Sequence, residues 1–300
     1  MKFGSPYWTV ILFNSKSIKR EINQSASRVD WFILLHFIAL KLFLVLRRNL
    51  PYFKKMWYNR EGYLGMKGEF MNENISLPEF MRNELVIKKQ LELRQRKGYL
   101  ISKRIFDIVV SLLLLAPLSI VFLIIAIAIK LEDGGPVFYR QERVTTNGRK
   151  FKIFKFRSMF LDADKVGPLV TQDHDPRITK VGRRVRNYRL DEVAQLLNVL
   201  IGDMSFVGAR PEVQKYVDAY TPEMQTTLLM PAGVTSLAAI EFRHEAEKIA
   251  EWTKQGLTVD EAYIEHILPE KMKYNIDYLE KCSLKNDIAI MVKTVIAVLK

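Results

Sequence analysis

RNYRLDEVAQLLNVLIGDMSFVGARP, from Arg186 to Pro211, is the stretch on which the reading of the whole chain turns. At 100° per residue, Leu190, Val193, Ala194, Leu197, Leu200 and Ile201 share one apolar arc. Asp191, Gln195 and Asn198 fall together on the opposite side, with Glu192 beside them. The spacing predicts an amphipathic helix with two adjacent carboxylates in its first turn. Unpaired amides and the positive end of the helix dipole would there favour an ionised Asp191. Arg183, Arg184, Arg186 and Arg189 precede the pair, and Arg210 returns after a turn containing Gly202 and Gly208. Acidic residues in a first turn are common as caps, and arginines near them often do no more than pair. A carboxylate ringed by arginines also suits chemistry on phosphate.

Upstream, residues 105–129 hold no charge except Asp107, and their only other polar side chains are Ser111 and Ser119. Such a run is about 37 Å long as a helix, enough to cross a bilayer. Pro117 stands in its middle, where a proline removes a backbone bond. Basic residues flank the run on both sides (Lys103 and Arg104, then Lys130 and Arg140) without the asymmetry of a spanning helix. Two readings follow: an ordinary transmembrane helix kinked at Pro117, and the sharper one, a helix broken there that enters and leaves on the same face. Between this helix and the Asp-Glu pair, Phe151, Ile153, Phe154 and Phe156 interleave with Lys150, Lys152, Lys155 and Arg157, predicting a strand pair that turns at Asn147-Gly148. Segments 212–229, 243–255, 259–268, 271–282 and 286–299 read as helical, and 79–96 as helical and heavily charged, a solvated helix or connector. The fold class expected is α+β and mostly helical, a membrane-embedded helix leading into a small catalytic domain with one short β-hairpin.

The charge of +13 is unevenly distributed. Residues 1–104 carry 20 Lys/Arg against 8 Asp/Glu, and residues 105–300 carry 26 against 25. A basic first third beside the apolar run at 31–46 suits an anionic membrane surface. The division expected is therefore 1–100, a basic extension with a membrane-contacting helix at 31–46, and 101–300, the catalytic domain. Residues 140–189 concentrate 14 basic against 5 acidic side chains, as a phosphate-bearing ligand would require. One cysteine, Cys282, excludes an internal disulfide and a multi-cysteine metal site. Neither GxxxxGK[ST] nor GxGxxG occurs, and the four histidines show no zinc-binding spacing.

A series of motifs in order then matters. KRIFD (103–107), GPVFYRQER (135–143), FKIFKFRSM (151–159), DPRITKVGRRVR (175–186), LDEVAQLLNVLIGDMSFVGARP (190–211) and a degenerate PAGVT (231–235) together resemble the bacterial sugar transferase family, the monotopic polyprenyl-phosphate hexose-1-phosphate transferases. The resemblance covers about two-thirds of the chain, and the tail at 267–291 is similar to a subgroup associated with polysaccharide assembly. It implies transfer of sugar-1-phosphate from a nucleoside-diphosphate sugar, typically a UDP-sugar, to polyprenyl phosphate through a covalent aspartyl phosphosugar. It further implies Mg²⁺ (or Mn²⁺) as cofactor and the cytoplasmic face of a bacterial inner membrane as the location. By position, Asp191 is the nucleophile and Glu192 its metal- or proton-handling partner, both near the metal. Lys155, Arg157, Arg186 and Arg210 become phosphate clamps, with Gln195 and Asn198 on the same polar face. The partners implied are the lipid and the sugar nucleotide, with room for a homodimer and no nucleic acid.

The chain departs from the family pattern at Pro117, one turn early with Ser119 alone behind it, and at Thr145, Ala194, Ala209 and the segment Met230–Ser236, which lacks an arginine. Two other readings compete. LDEVAQLLNV resembles the first helix of a helix-turn-helix, but Gly202, Gly208 and Pro211 fill the space of a recognition helix. An inactive membrane scaffold is the other, against which the intact Asp191-Glu192 pair argues.

Overall fold

The computed structural model describes residues 77–163 and 175–299. The helix expected over 31–46 lies outside the described residues. In chain order the helices and strands are α1 (Glu84–Gln95), α2 (Lys97–Asp133), β1 (Phe138–Val144), β2 (Lys150–Phe156), α3 (Lys180–Asn187), α4 (Leu196–Ile201), β3 (Met204–Val207), α5 (Gln214–Val217), α6 (Pro222–Gln225), β4 (Ala232–Thr235), α7 (Leu237–Glu241), α8 (Glu245–Thr253), α9 (Val259–Ala262), α10 (Leu268–Glu280) and α11 (Leu284–Leu299). The architecture is mostly helical with two small sheets among the described residues.

β1 and β2 form the expected antiparallel hairpin, Phe138 opposite Phe156 and Val144 opposite Lys150. Its turn needs positive φ at Asn147 (55°) and Gly148 (71°), which an Asn-Gly pair adopts at little cost. The second sheet was not expected: β3 and β4 run parallel, Met204 beside Ala232 and Val207 beside Thr235. The stretch 212–229 that joins them is not one helix but α5, α6 and a 3₁₀ turn at Thr226–Leu229. The helix-turn-helix reading fails here, since α4 runs directly into a strand.

α2 is 37 residues long, about 55 Å at 1.5 Å per residue, and by length and composition it could cross a membrane. The expected break at Pro117 is not made; the helix continues through it, and Ser119 Oγ donates to Ala116 O at 2.7 Å. One stripe of α2, Lys103, Asp107, Ser111, Ile125 and Ile129, is buried. The opposite face exposes Ile105, Val109, Leu113, Ile124 and Ile127.

Both ends of α2 are fastened to the rest of the unit. Near its start, Lys103 Nζ lies 2.9 Å from Asp287 of α11, and Arg104 donates to the carbonyls of Val199 (2.7 Å) and Leu200 (2.9 Å). Asp107 accepts from Phe206 N and Ser205 Oγ, both at 3.1 Å. At the other end, Asp133 pairs with Arg157, and Glu132 accepts from Val181 N at 3.2 Å.

The 79–96 stretch is helical over Glu84–Gln95 as expected, but it is packed and not solvated. Asn83 caps α1 by accepting from Val86 N, and Leu77, Met81 and Val86 are buried in one cluster with Tyr216, Leu228, Ile267, Leu268 and Met272. The compact unit thus begins before residue 101, because these apolar residues are buried against elements that come after it. A second cluster joins β2, α4 and β3 to the end of α10, and a third packs Ile125 and Ile129 of α2 on Phe156, Val185 and Ala194. That third cluster lies directly under the Asp-Glu pair and holds β2, α3 and α2 around it.

Candidate active site

The pair does not open a regular α-helix. Asp191 precedes a 3₁₀ turn, Glu192–Gln195, and only then does α4 begin. A 3₁₀ turn advances about 120° per residue instead of 100°, so four such residues rotate the next helical turn by about 80°. Asn198 is therefore not on the face of Asp191. It is fully buried, accepts from Phe154 N (2.7 Å), and donates to Lys152 O (3.2 Å) and Asp203 Oδ2 (3.3 Å). It satisfies the free edge of β2 and offers nothing to a phosphate. Gln195 is 2% exposed, and its Nε2 finds no partner among the described residues.

The same edge holds the dyad to the hairpin. Phe156 N donates to Asp191 O at 3.0 Å, which brings Lys155 beside the carboxylates. Lys155 Nζ lies 3.2 Å and Arg210 Nη2 2.8 Å from Glu192 Oε1. Arg210 above all, then Lys155, hold the Glu192 carboxyl well below the usual carboxylate range against the opposing cost of burial. Burial pushes Lys155 down, with Glu192 opposing. Asp191 behaves oppositely. Burial first, and the neighbouring Glu192 second, push its carboxyl up, while Lys155 and Arg186 restrain the shift. The expected helix-terminus stabilisation of an ionised Asp191 is thus outweighed by desolvation. Two adjacent carboxyls driven in opposite directions are suited to different roles.

Two cavities meet at this pair. Asp191 opens on one of about 360 Å³, walled by Arg140, Arg143, Lys155, Arg177 and Arg186 with the rings of Tyr139 and Phe160. Glu192 and Arg210 border another of about 730 Å³, which extends to β4, α7 and α11. Of the residues expected here, Asp191, Glu192, Lys155, Arg186 and Arg210 are brought together. Arg157 borders the smaller cavity but pairs with Asp133 and donates from Nε to Pro136 O at 2.7 Å. It fastens the end of α2 to β2 instead of waiting for phosphate. Arg183, Arg184 and Arg189 of the predicted ring are exposed. Arg140 and Arg143 also wall the smaller cavity and were missed, although the basic excess of 140–189 contained them; Arg177, like Arg157, is already paired, with Asp175 at 2.6 Å.

Comparison with known proteins gives the family. The sequence profile described as "Bacterial sugar transferase" matches residues 98–300. The chain belongs to the bacterial sugar transferase family. It is 33% identical over 204 residues to the UDP-N-acetylgalactosamine-undecaprenyl-phosphate N-acetylgalactosaminephosphotransferase of Aeromonas hydrophila, a match covering 67% of this chain and 44% of that protein. It is 36% identical over 196 residues to the UDP-glucose:undecaprenyl-phosphate glucose-1-phosphate transferase of Caulobacter vibrioides, covering 64% and 68%. A putative undecaprenyl-phosphate N-acetylgalactosaminyl 1-phosphate transferase of Bacillus subtilis is 44% identical over 126 residues, covering 42% and 70%. The chain thus spans less than half the length of the Aeromonas relative. All three names join a sugar phosphate to undecaprenyl phosphate.

Proposed function

We propose that this chain transfers sugar-1-phosphate from a nucleoside-diphosphate sugar, a UDP-sugar as in the names of two relatives, to a polyprenyl phosphate. The observation that carries the reading is the division of labour in the dyad: Glu192 is neutralised by Arg210 and Lys155, while Asp191 makes no direct ion pair among the described residues and faces the cationic cavity. An Oδ of Asp191 attacks the phosphorus that bears the sugar. The bond from that phosphorus to the bridging oxygen breaks, and the nucleoside monophosphate leaves with the electron pair. An oxygen of the lipid phosphate then attacks the same phosphorus, and the aspartyl oxygen leaves as carboxylate. No proton is gained or lost overall, and the acyl phosphate preserves transfer potential between two substrates of opposite polarity.

Both substrates are anions that a carboxylate repels, so Arg140, Arg143, Lys155 and Arg186 offset charge on the donor's side. Mg²⁺ (or Mn²⁺) fits the donor set here, because Mg²⁺ is usually held by one or two carboxylates together with substrate phosphates. Asp191 and Glu192 would hold it, and its charge would neutralise the diphosphate. The long apolar face of α2, both of whose ends return to one body, supports attachment from one side of a bacterial inner membrane, with the catalytic unit toward the cytoplasm where sugar nucleotides are made.

The test offers the purified protein a panel of radiolabelled UDP-sugars with polyprenyl phosphate. Label should enter the lipid phase from one or a few sugars with release of the nucleoside monophosphate. Folded protein that labels no lipid and releases no nucleotide from any donor would refute the reading.

A second measurement reads the dyad. Asp191 attacks as the carboxylate, so its raised pKa makes the first half-reaction fall away as pH drops through that raised value. Glu192→Gln removes the negative neighbour that contributes to the rise, so this acid limb should move to lower pH. The plateau rate should fall about a hundredfold with loss of the partner group. Single-turnover nucleotide release across pH gives both numbers, and an unmoved limb would mean that Glu192 does not set the ionisation of Asp191.

A further inference from the structure

Arg143, in the wall of the smaller cavity, has a carboxylate beside it that does not close on it. Glu212 Oε2 stands 4.0 Å from Arg143 Nη1, within the range of an ion pair but too far for a hydrogen bond. A guanidinium and a carboxylate free to meet form a short, two-pronged pair. Among the described residues the arginine gives three N–H groups to other partners. Nε and Nη2 donate to Gln141 Oε1 at 3.1 and 2.7 Å, and Nη1 donates to Pro211 O at 3.2 Å. A guanidinium has five, so one remains on each terminal nitrogen.

Glu212 is held from α8, α10 and the turn before α10. Its Oε1 accepts from Tyr263 Oη at 2.5 Å and lies 3.6 Å from Lys271 Nζ. Lys271 of α10 is anchored in turn: its Nζ donates to Tyr263 Oη and pairs with Glu245 Oε2 of α8, each at 2.8 Å. Glu212, Tyr263 and Lys271 are all buried. Tyr263 opens a π turn, Tyr263–Ile267, between α9 and α10, and such a turn takes in an extra residue and re-aims the side chains around it. Its ring packs on that of Tyr216, with centroids 4.5 Å apart, and Tyr216 Oη donates to Asp260 Oδ1 at 2.7 Å. Burial first, and Glu212 after it, keep the Tyr263 phenol protonated, so toward the carboxylate it can only donate. The backbone is fixed as well, since Val144 N donates to Glu212 O at 2.9 Å. Only the side chain of Glu212 is left to move toward Arg143.

We propose that Tyr263 and Lys271 are positioning residues that hold the Glu212 carboxylate off Arg143, keeping that arginine open to the diphosphate of the sugar nucleotide. At its present distance Glu212 offsets part of the cost of burying the guanidinium, for which it is the largest opposing influence. Any closer, it takes the remaining N–H groups and competes with the donor. This assignment rests on the transfer reaction proposed above.

The experiment titrates the full chain in detergent with UDP and Mg²⁺ by calorimetry, which requires no turnover. Tyr263→Phe keeps the ring contact and releases Glu212, so the Kd for UDP should rise about tenfold. Adding Glu212→Gln, whose neutral amide is a weak rival for a cation, should return the Kd to within about threefold of the wild type. Lys271→Met should weaken UDP in the same direction and be relieved by the same second change. In an Arg143→Met background Tyr263→Phe should alter the Kd by less than about twofold, since both positions act through one group. A tyrosine that only packs would lower the melting temperature without any such rescue. An unchanged Kd in Tyr263→Phe, a defect that Glu212→Gln does not relieve, or a full effect without Arg143 would each overturn the tether while leaving the transfer reading intact. Wild-type protein that binds no UDP would refute the donor reading of the cavity, and the tether with it.

Discussion

Asp191→Asn should abolish both the covalent phosphosugar and the lipid product, with turnover down by about 10⁴-fold or more. The amide keeps the shape of the carboxylate and removes the charge that attacks phosphorus. The expected result is read by intact-protein mass spectrometry after mixing with the accepted sugar nucleotide and no lipid. A sugar-phosphate adduct should appear on the wild type and be missing from the variant. Should the adduct persist or map to another residue, Asp191 is not the nucleophile. Loss of the fold would not explain the loss of activity, because the contact of Asp191 with the hairpin is made by its backbone carbonyl, which accepts from Phe156 N. The stability should even rise. Burial lifts the Asp191 pKa in the folded state, so the ionised carboxylate costs stability above its unfolded pKa, and a neutral amide escapes that cost. The gain should therefore be present at neutral pH and vanish below the unfolded value. A variant that is inactive yet no less stable marks a group held in place for its chemistry.

Gly182→Ala should cost stability on the largest scale of any single methyl added to the fold. Thr179 caps α3 by accepting from Gly182 N at 2.9 Å, and its own N–H donates to Ser158 O at 3.1 Å. A methyl on Gly182 would overlap the carbonyl of Ser158, a backbone group with no rotamer to change. α3 would have to lift away, taking buried Val185 from its cluster with Phe156 and Arg186 from the cavity of Asp191. Overpacking of this kind costs about 3 kcal/mol, and the unit's size converts that to a fall of roughly 6–12 °C in Tm. Donor turnover should fall with it. Gly98→Ala is the control: nothing approaches within 4 Å of that position in α2, and alanine there should gain a few tenths of a kcal/mol up to about 1 kcal/mol. If Gly182→Ala melts within about 2 °C of the wild type, helix α3 is not held against Ser158 as described.

How much could be read from residues alone depends on the range of the forces involved. The hairpin was legible because Asn147-Gly148 and the alternating phenylalanines are local signals. The apolar middle of α2 was legible from its composition, but its extension to Lys97 and Asp133 and its continuity through Pro117 were not, since packing on both sides of the proline holds the helix together. The sheet of β3 and β4 was invisible: four-residue strands such as AGVT carry no period, and the partner of Met204 lies 28 positions away at Ala232. In the site, Asp191, Glu192 and Arg210 stood out by charge. Asn198 was misjudged because a 3₁₀ turn and an α-helix share the same residues while pointing them differently. Arg157 was misjudged because its partner, Asp133, is at the end of the long helix, where no pattern within the hairpin could reveal it. Local periodicity finds elements, and only tertiary pairing decides which charges remain for substrate.

The polar stripe of α2 also imposes a timetable on biosynthesis. Lys103, Asp107 and Ser111 leave the ribosome early, but Lys103 meets its counter-charge only when Asp287 has been made, 184 residues later. At about 5–20 residues per second that interval is roughly 10–40 s. Through it the nascent helix has only Asp107, one turn on, to balance Lys103 on the face that will become its inner side, while its other face is apolar. Formation of the long helix and closure of the unit around it are therefore separate events, and the sixteen-residue α11, made long after α2, is the latch between them.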